Sequence, residues 1–117
     1  MHNNSKEMAK LAYKAMDDKL AKNIKIIDIS NISIIADYFL IADGSNKNQL
    51  QAITDNVEEM LGRAGFIPKS IEGKQSTTWI LLDYGDIIVH VFNAEDRGFY
   101  DLERIWKDGI EVSVDSL

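Results

Sequence analysis

The chain has 117 residues, 45% of them hydrophobic, no cysteine and a formal net charge of −6. That size fits one domain, residues 1–117, with a filled core, and it excludes disulfides and thiol chemistry. The acidic excess lies wholly beyond residue 82, since acidic and basic side chains balance before it; this disfavours direct nucleic-acid binding and leaves either a solvated face or a surface for basic partners.

Asn4-Ser5-Lys6-Glu7 resembles a capping box with Asn in the first place, and Met8, Leu11, Ala12, Ala15 and Leu20 follow at helical spacing, so a helix is expected over 5–21. "IKIIDIS" (24–30) reads as a strand, "NISIIAD" as a short connection, and "YFLIA" (38–42) as a strand buried on both faces, because it lacks polar alternation. Ser45 is the expected N-cap of the next helix, whose apolar face carries Leu50, Ile53, Val57, Met60, Leu61 and Ala64. Gly65 stands where a left-handed C-cap residue is wanted. "FIPKSIE" (66–72) reads as an edge strand, since Pro68 cannot donate to a ladder. Residues 77–83 and 86–92 read as two more strands. "AEDRGFYDLERIWKDG" suggests one or two short helices with Phe99, Leu102, Ile105 and Trp106 inward, stopped by Gly109; the tail "IEVSVDSL" is undetermined. The expected fold is α+β, a mixed sheet of about five strands packed with helices. No apolar run nears the roughly 18 residues of a membrane span, and the N-terminus has no signal-peptide core. A cytoplasmic protein with no membrane partner is therefore expected.

The stretch "TTWILLDYGDIIVHVF" (77–92) concentrates the chemistry. With Tyr84-Gly85 as a two-residue loop, Asp83 would face Asp86, Leu81 would face Ile88, Trp79 His90 and Thr77 Phe92. Strand alternation puts these eight side chains on one face and Ile80, Leu82, Ile87, Val89 and Val91 on the other, wholly aliphatic face. The aliphatic face belongs under helices. The Trp79–His90 face is either covered by the chain's own elements or an open partner site of the kind Trp and Tyr anchor.

A reaction centre fits poorly. Asp83 and Asp86 would sit at a wet hairpin tip, where carboxylates stay ordinary, and Asp86 lies about 13 Å from His90 along one strand. A zinc site wants three or four clustered ligands, and none is visible. "ADGSNKN" resembles the start of a nucleotidyltransferase signature, with a helix N-terminus suited to phosphate. That chemistry also wants two carboxylates on the following strand, where only Glu72 stands, so Ser45 reads as a cap. "GRAG" (62–65) matches an RNA-reading loop by letters only.

Together, "ADYFLIADGSN", "WILLDYGDIIVHVF" and "RGFYDLERIW" resemble the ribosomal silencing factors, or Iojap family, over about residues 5–108. The resemblance implies a nucleotidyltransferase-like core that has lost its metal-binding carboxylates, no catalytic residues, no metal and no cofactor. It implies a non-enzymatic translation repressor that binds the large ribosomal subunit through ribosomal protein uL-fourteen and sterically blocks subunit joining. Carried onto this chain, the implied partner-binding residues are Trp79, Leu81, Asp83, Asp86, His90 and Phe92 on the hairpin, joined by Arg97, Tyr100 and Glu103. The resemblance also allows a homodimer through the same patch. A metal-dependent nucleotidyltransferase-like enzyme and a plain homodimerisation module are the competing readings.

Overall fold

The computed structural model describes residues 3–73, 78–94 and 108–117. Helix α1 (Asn3–Asp18) leads into strands β1 (Lys22–Asp28) and β2 (Tyr38–Gly44), helix α2 (Lys47–Arg63), and strands β3 (Ser70–Glu72), β4 (Trp79–Asp83), β5 (Ile87–Asn93) and β6 (Ile110–Val112). The strands form one sheet of six in the order β3-β4-β5-β2-β1-β6. β2 and β5 run parallel; every other pair is antiparallel. The mixed α+β sheet therefore has one strand more than expected. The extra strand, β6, is three residues of the tail, paired with Ile26–Asp28 of β1. The expected helices over 94–109 fall almost entirely outside the described residues.

Both helices pack on one side of the sheet. Met8, Ala9, Ala12, Ala15 and Met16 of α1 and Leu50, Ile53, Val57 and Leu61 of α2 meet Ile26, Leu40, Ala42, Ile80, Leu82, Ile87, Val89 and Val91. The aliphatic face of the hairpin thus lies under helices, as its composition demands. β2 is buried at every residue, which explains its unbroken apolar run: it is central, between β5 and β1. β3 is an edge strand, shorter than expected, with Pro68 just before it.

The two helix ends obey one rule with different residues. α2 stops in a Schellman motif: Phe66 N–H bonds Leu61 O at 2.9 Å and Gly65 N–H bonds Gly62 O at 3.0 Å, with Gly65 at φ +93°. α1 stops the same way, three residues earlier than expected: Ala21 N–H bonds Met16 O at 3.0 Å and Leu20 N–H bonds Asp17 O at 2.9 Å. Here the left-handed position, φ +64°, is held by Leu20, which is 75% exposed. A leucine gives no stop signal, so the helix read through to 21. Backbone cost for an L-residue in this region is about 1–2 kcal/mol, whereas glycine bears none. Opposite effects follow. Gly65→Ala should lower stability by about 1 kcal/mol. Leu20→Gly should raise it by up to about 1 kcal/mol, because little burial is lost. Urea unfolding midpoints of the two variants check both signs.

The starts differ from expectation too. α1 already includes Asn3, so Asn4 lies within the helix and is not its cap. The N-cap of α2 is Asn46, not Ser45: its side chain accepts from Gln49 N–H at 2.9 Å. Gln49 decides between the neighbours. Its Oε1 accepts from Ser45 N–H at 2.6 Å and Ser45 Oγ–H at 2.5 Å, while its Nε2 donates to Lys19 O and Leu20 O at 3.1 Å. One side chain therefore closes the start of α2 and satisfies carbonyls at the end of α1.

Candidate partner-binding surface

The β4–β5 hairpin turns on Gly85-Asp86, one residue later than expected. Tyr84 N–H bonds Ile87 O at 3.0 Å, and Gly85 alone takes positive φ, +86°. Glycine at the first loop position with an ordinary second residue is the type II′ pattern. Tyr84 meanwhile turns into the helix-side core, 5% exposed. The register moves with the turn: Trp79 faces Phe92, Leu81 faces His90 and Asp83 faces Ile88. The shift is two residues, so parity is kept, and Trp79, Leu81, Asp83, Ile88, His90 and Phe92 still share one side. Thr77 lies outside the described residues, and Asp86 sits in the loop instead of facing Asp83.

That side is neither wholly open nor wholly covered. Its centre is buried: Ile27, Ile29, Ala36, Phe39, Ile41 and Phe92 form a second apolar cluster, and His90 is 4% exposed. Its β4 margin is half-exposed, at Trp79, Leu81 and Asp83. The expectation of an open Trp79–His90 side is corrected for His90 and Phe92: Phe92 packs into the cluster with Ile27, Ile29, Ala36, Phe39 and Ile41, and Phe39 packs against His90. Glu72, Gly73, Trp79 and Leu81 line a recess of about 190 Å³ along the margin.

The buried centre fixes the exposed margin. The Trp79 indole N–H donates to His90 Nδ1 at 2.9 Å. The indole stacks on Phe92, centroids 5.4 Å apart, and on His90 at 5.6 Å, while Phe39 packs tilted against His90 at 4.3 Å. An acceptor Nδ1 requires the neutral imidazole protonated at Nε2. Burial enforces the same state, pushing the His90 pKa from 6.5 down to about 3. His90 is thus a neutral acceptor that orients an indole.

Asp83, Asp86 and His90 are not assembled for chemistry. Asp83 Oδ1 accepts from Gly85 N–H at 2.8 Å. Asp86 offers its backbone oxygen to Asp37 N–H at 2.8 Å. His90 Nδ1 belongs to Trp79. Among the described residues no group of three or more His, Cys, Asp or Glu side chains is placed to hold a metal ion. Arg97, Tyr100 and Glu103 lie outside the described residues. Sequence reasoning missed Phe39, whose ring closes the cluster, and Glu72 and Gly73, which wall the recess. The only signal for Phe39 was its alternation with Tyr38 and Leu40 along β2.

The profile of the family described as "Ribosomal silencing factor during starvation", RsfS, matches residues 2–117. The chain belongs to the RsfS family. It is 39% identical to the ribosomal silencing factor RsfS of Bacillus subtilis, over 96% of this chain and 95% of that protein. It is 36% identical to that of Halalkalibacterium halodurans, over 97% of each. More distant plant relatives carry the name Iojap. Among solved structures, a Chromobacterium violaceum protein superposes with a TM-score of 0.84 at 34% identity, covering 86% of this chain and 84% of that one. The α+β fold with an open mixed sheet fits that family. The profile match and these relatives bear out the family resemblance drawn from the "ADYFLIADGSN", "WILLDYGDIIVHVF" and "RGFYDLERIW" motifs together.

Proposed function

We propose that this chain represses translation, without catalysing a reaction, by docking its β4 margin on ribosomal protein uL-fourteen of the large subunit and blocking small-subunit joining. The observation that supports this reading is the indole of Trp79, half-buried and locked from behind by His90 and Phe92, beside a small recess walled in part by Glu72. A rigid aromatic anchor loses little freedom on binding. Trp79 and Leu81 supply the apolar contact; Asp83, Asp86 and Glu72 face a basic partner. His90 and Phe92 act through Trp79. Arg97, Tyr100 and Glu103 join the interface by their place in the "RGFYDLE" motif.

The blocking step is steric, so no substrate or cofactor is consumed. The test is light scattering of subunit joining: purified large subunits pre-incubated with the chain should join small subunits in inverse proportion to occupancy. Undiminished joining at saturating chain would overturn the proposal. Turnover of nucleotide with magnesium would favour the enzymatic alternative, and binding only to itself the homodimer. An acidic rim also sets the kinetics. Raising salt should slow association with large subunits more than it speeds dissociation, which stopped-flow measurements at several ionic strengths resolve.

A further inference from the structure

The β1–β2 connection supplies only its ends to the side described above, and between them it is a shaped loop. Its ends are pinned in the second apolar cluster by Ile29 and Ala36. Between them, Ile32 N–H and Ser33 N–H both bond Ile29 O, at 3.0 and 2.8 Å. Ser33 Oγ accepts from Ile35 N–H at 3.1 Å and Ala36 N–H at 3.4 Å. This frame holds Ile34 and Ile35 outward, 104% and 72% exposed, with Ile32 beside them. Grouped exposed isoleucines on an ordered loop are unfavourable in water and mark contact surfaces.

Next to the loop, a recess of about 380 Å³ opens between the first turn of α1 and the sheet, lined by Ser5, Lys6, Asp28, Ser30, Asp37 and Tyr38. Tyr38 is only 6% exposed. Its hydroxyl has no hydrogen-bond partner among the described residues. Burial, then the charges of Asp28 and Asp37, push the Tyr38 pKa up; the two carboxylates are therefore felt at the phenol. Asp28 Oδ1 also accepts from Ser30 N–H and Oγ–H, at 2.9 and 2.6 Å, and this turn fixes its direction. Through the Asp37 N–H to Asp86 O bond, the loop adjoins the β4–β5 turn.

We propose that loop 30–36 and the Asp28–Asp37–Tyr38 recess form a second docking surface, which takes an arginine from an apolar-flanked segment of a basic protein. A guanidinium has five donors and no acceptor, and its planar fork suits carboxylates. Its apolar stem lies along isoleucine, as long cationic side chains do on apolar surface. Lys6 offsets one of the two carboxylates, and the remaining charge is negative. That sign disfavours nucleic-acid phosphate. The proposal rests on the ribosomal reading above for its setting, and extends it from the β4 margin to the neighbouring end of the sheet.

Two measurements on the full chain test it. In the first, the free protein is titrated with argininamide and followed by NMR. Saturable shifts should centre on Tyr38 and its neighbours and vanish in Asp37→Asn; shifts spread evenly over surface carboxylates, or none at Tyr38, would overturn the recess. In the second, a photo-crosslinking phenylalanine analogue replaces Ile34, an exposed position, and the chain is bound to purified large subunits. An adduct with an arginine-bearing ribosomal protein is expected; an adduct with ribosomal RNA or with a second copy, or none from bound chain, would overturn the surface. Ile34→Ser with Ile35→Ser should weaken that binding about tenfold without lowering the unfolding midpoint, and unchanged binding would contradict the proposal. If the chain binds no large subunits at all, the ribosomal reading fails, and the argininamide titration still judges the recess.

Discussion

Trp79→Ala should weaken binding to purified large subunits by roughly thirtyfold or more and leave the chain folded. Truncating a central aromatic anchor typically costs about 2 kcal/mol or more of binding free energy. The fold should survive because Trp79 lies on a margin, while Ile80, Leu82, Val89 and Val91, fully buried on the opposite face, hold the hairpin to the helices. Some stability is lost with the stacks on Phe92 and His90, about 0.5–1.5 kcal/mol for an aromatic pair. Trp79→Phe separates the two roles of the indole: it keeps a ring on Phe92 but removes the donor to His90 Nδ1. Its binding should fall between wild type and alanine. Co-sedimentation over a concentration series, with circular dichroism of each variant, reads both. Normal co-sedimentation of folded Trp79→Ala would place the docking surface elsewhere. If that variant unfolds, Leu81→Ser, at the half-exposed neighbour, decides.

Stability should fall as pH drops from 6.5 toward about 3, the unfolded and folded pKa values of His90. Above 6.5 the imidazole is neutral in both states and contributes no pH dependence. Below it the unfolded chain binds a proton that the folded chain refuses, so unfolding gains up to about 1.4 kcal/mol per pH unit. The slope ends near the folded pKa, where protonation would place a proton on the nitrogen that accepts from Trp79, or strand a charge in an apolar cluster. In His90→Gln, which keeps an acceptor but cannot titrate, this part of the slope should be absent. Urea midpoints from about pH 7 to about pH 4 measure it. Equal slopes in both proteins would mean that His90 already has water or a counter-charge.

Much of the fold is legible because its signals are local and periodic. The unbroken apolar run of β2 announces a central strand, and the spacing of Leu50, Ile53, Val57 and Leu61 announces the buried stripe of α2. Where residues carry no signal, or two carry the same one, reading fails. Leu20 stops a helix in a conformation that leucine seldom takes. Ser45 and Asn46 are both good caps, and only the reach of Gln49 to the end of α1 separates them. β6 is three residues long and exists because β1 offers an edge.

The candidate site shows the same division. Alternation identified which side chains share a face, and for Trp79, Leu81, Asp83, Ile88, His90 and Phe92 that survived a two-residue register error because a strand repeats every two residues, whereas Asp86 fell into the loop. Alternation carries no depth. Packing against Phe39, Ile41 and the loop residues Ile29 and Ala36 buries His90 and Phe92, while Trp79 and Leu81 stay half-buried. Strand order is set by the long-range parallel pairing of β2 with β5, which no short window contains. The isoleucines of "NISIIAD" likewise looked like part of a plain connection, since their exposure depends on how Ile29, Ser33 and Ala36 anchor the loop.

Carboxylate footprinting tests the docking surface most directly. A carbodiimide-coupled amine labels accessible Asp and Glu side chains, and labelling is compared between the free chain and the chain bound to purified large subunits. Asp83 and Asp86 should be labelled when free and protected when bound, while Asp17 and Asp55, exposed on the helices, keep their reactivity. Protection of Asp17 and Asp55 with Asp83 and Asp86 still reactive would mean that the helical face, not the Trp79 margin, meets the ribosome.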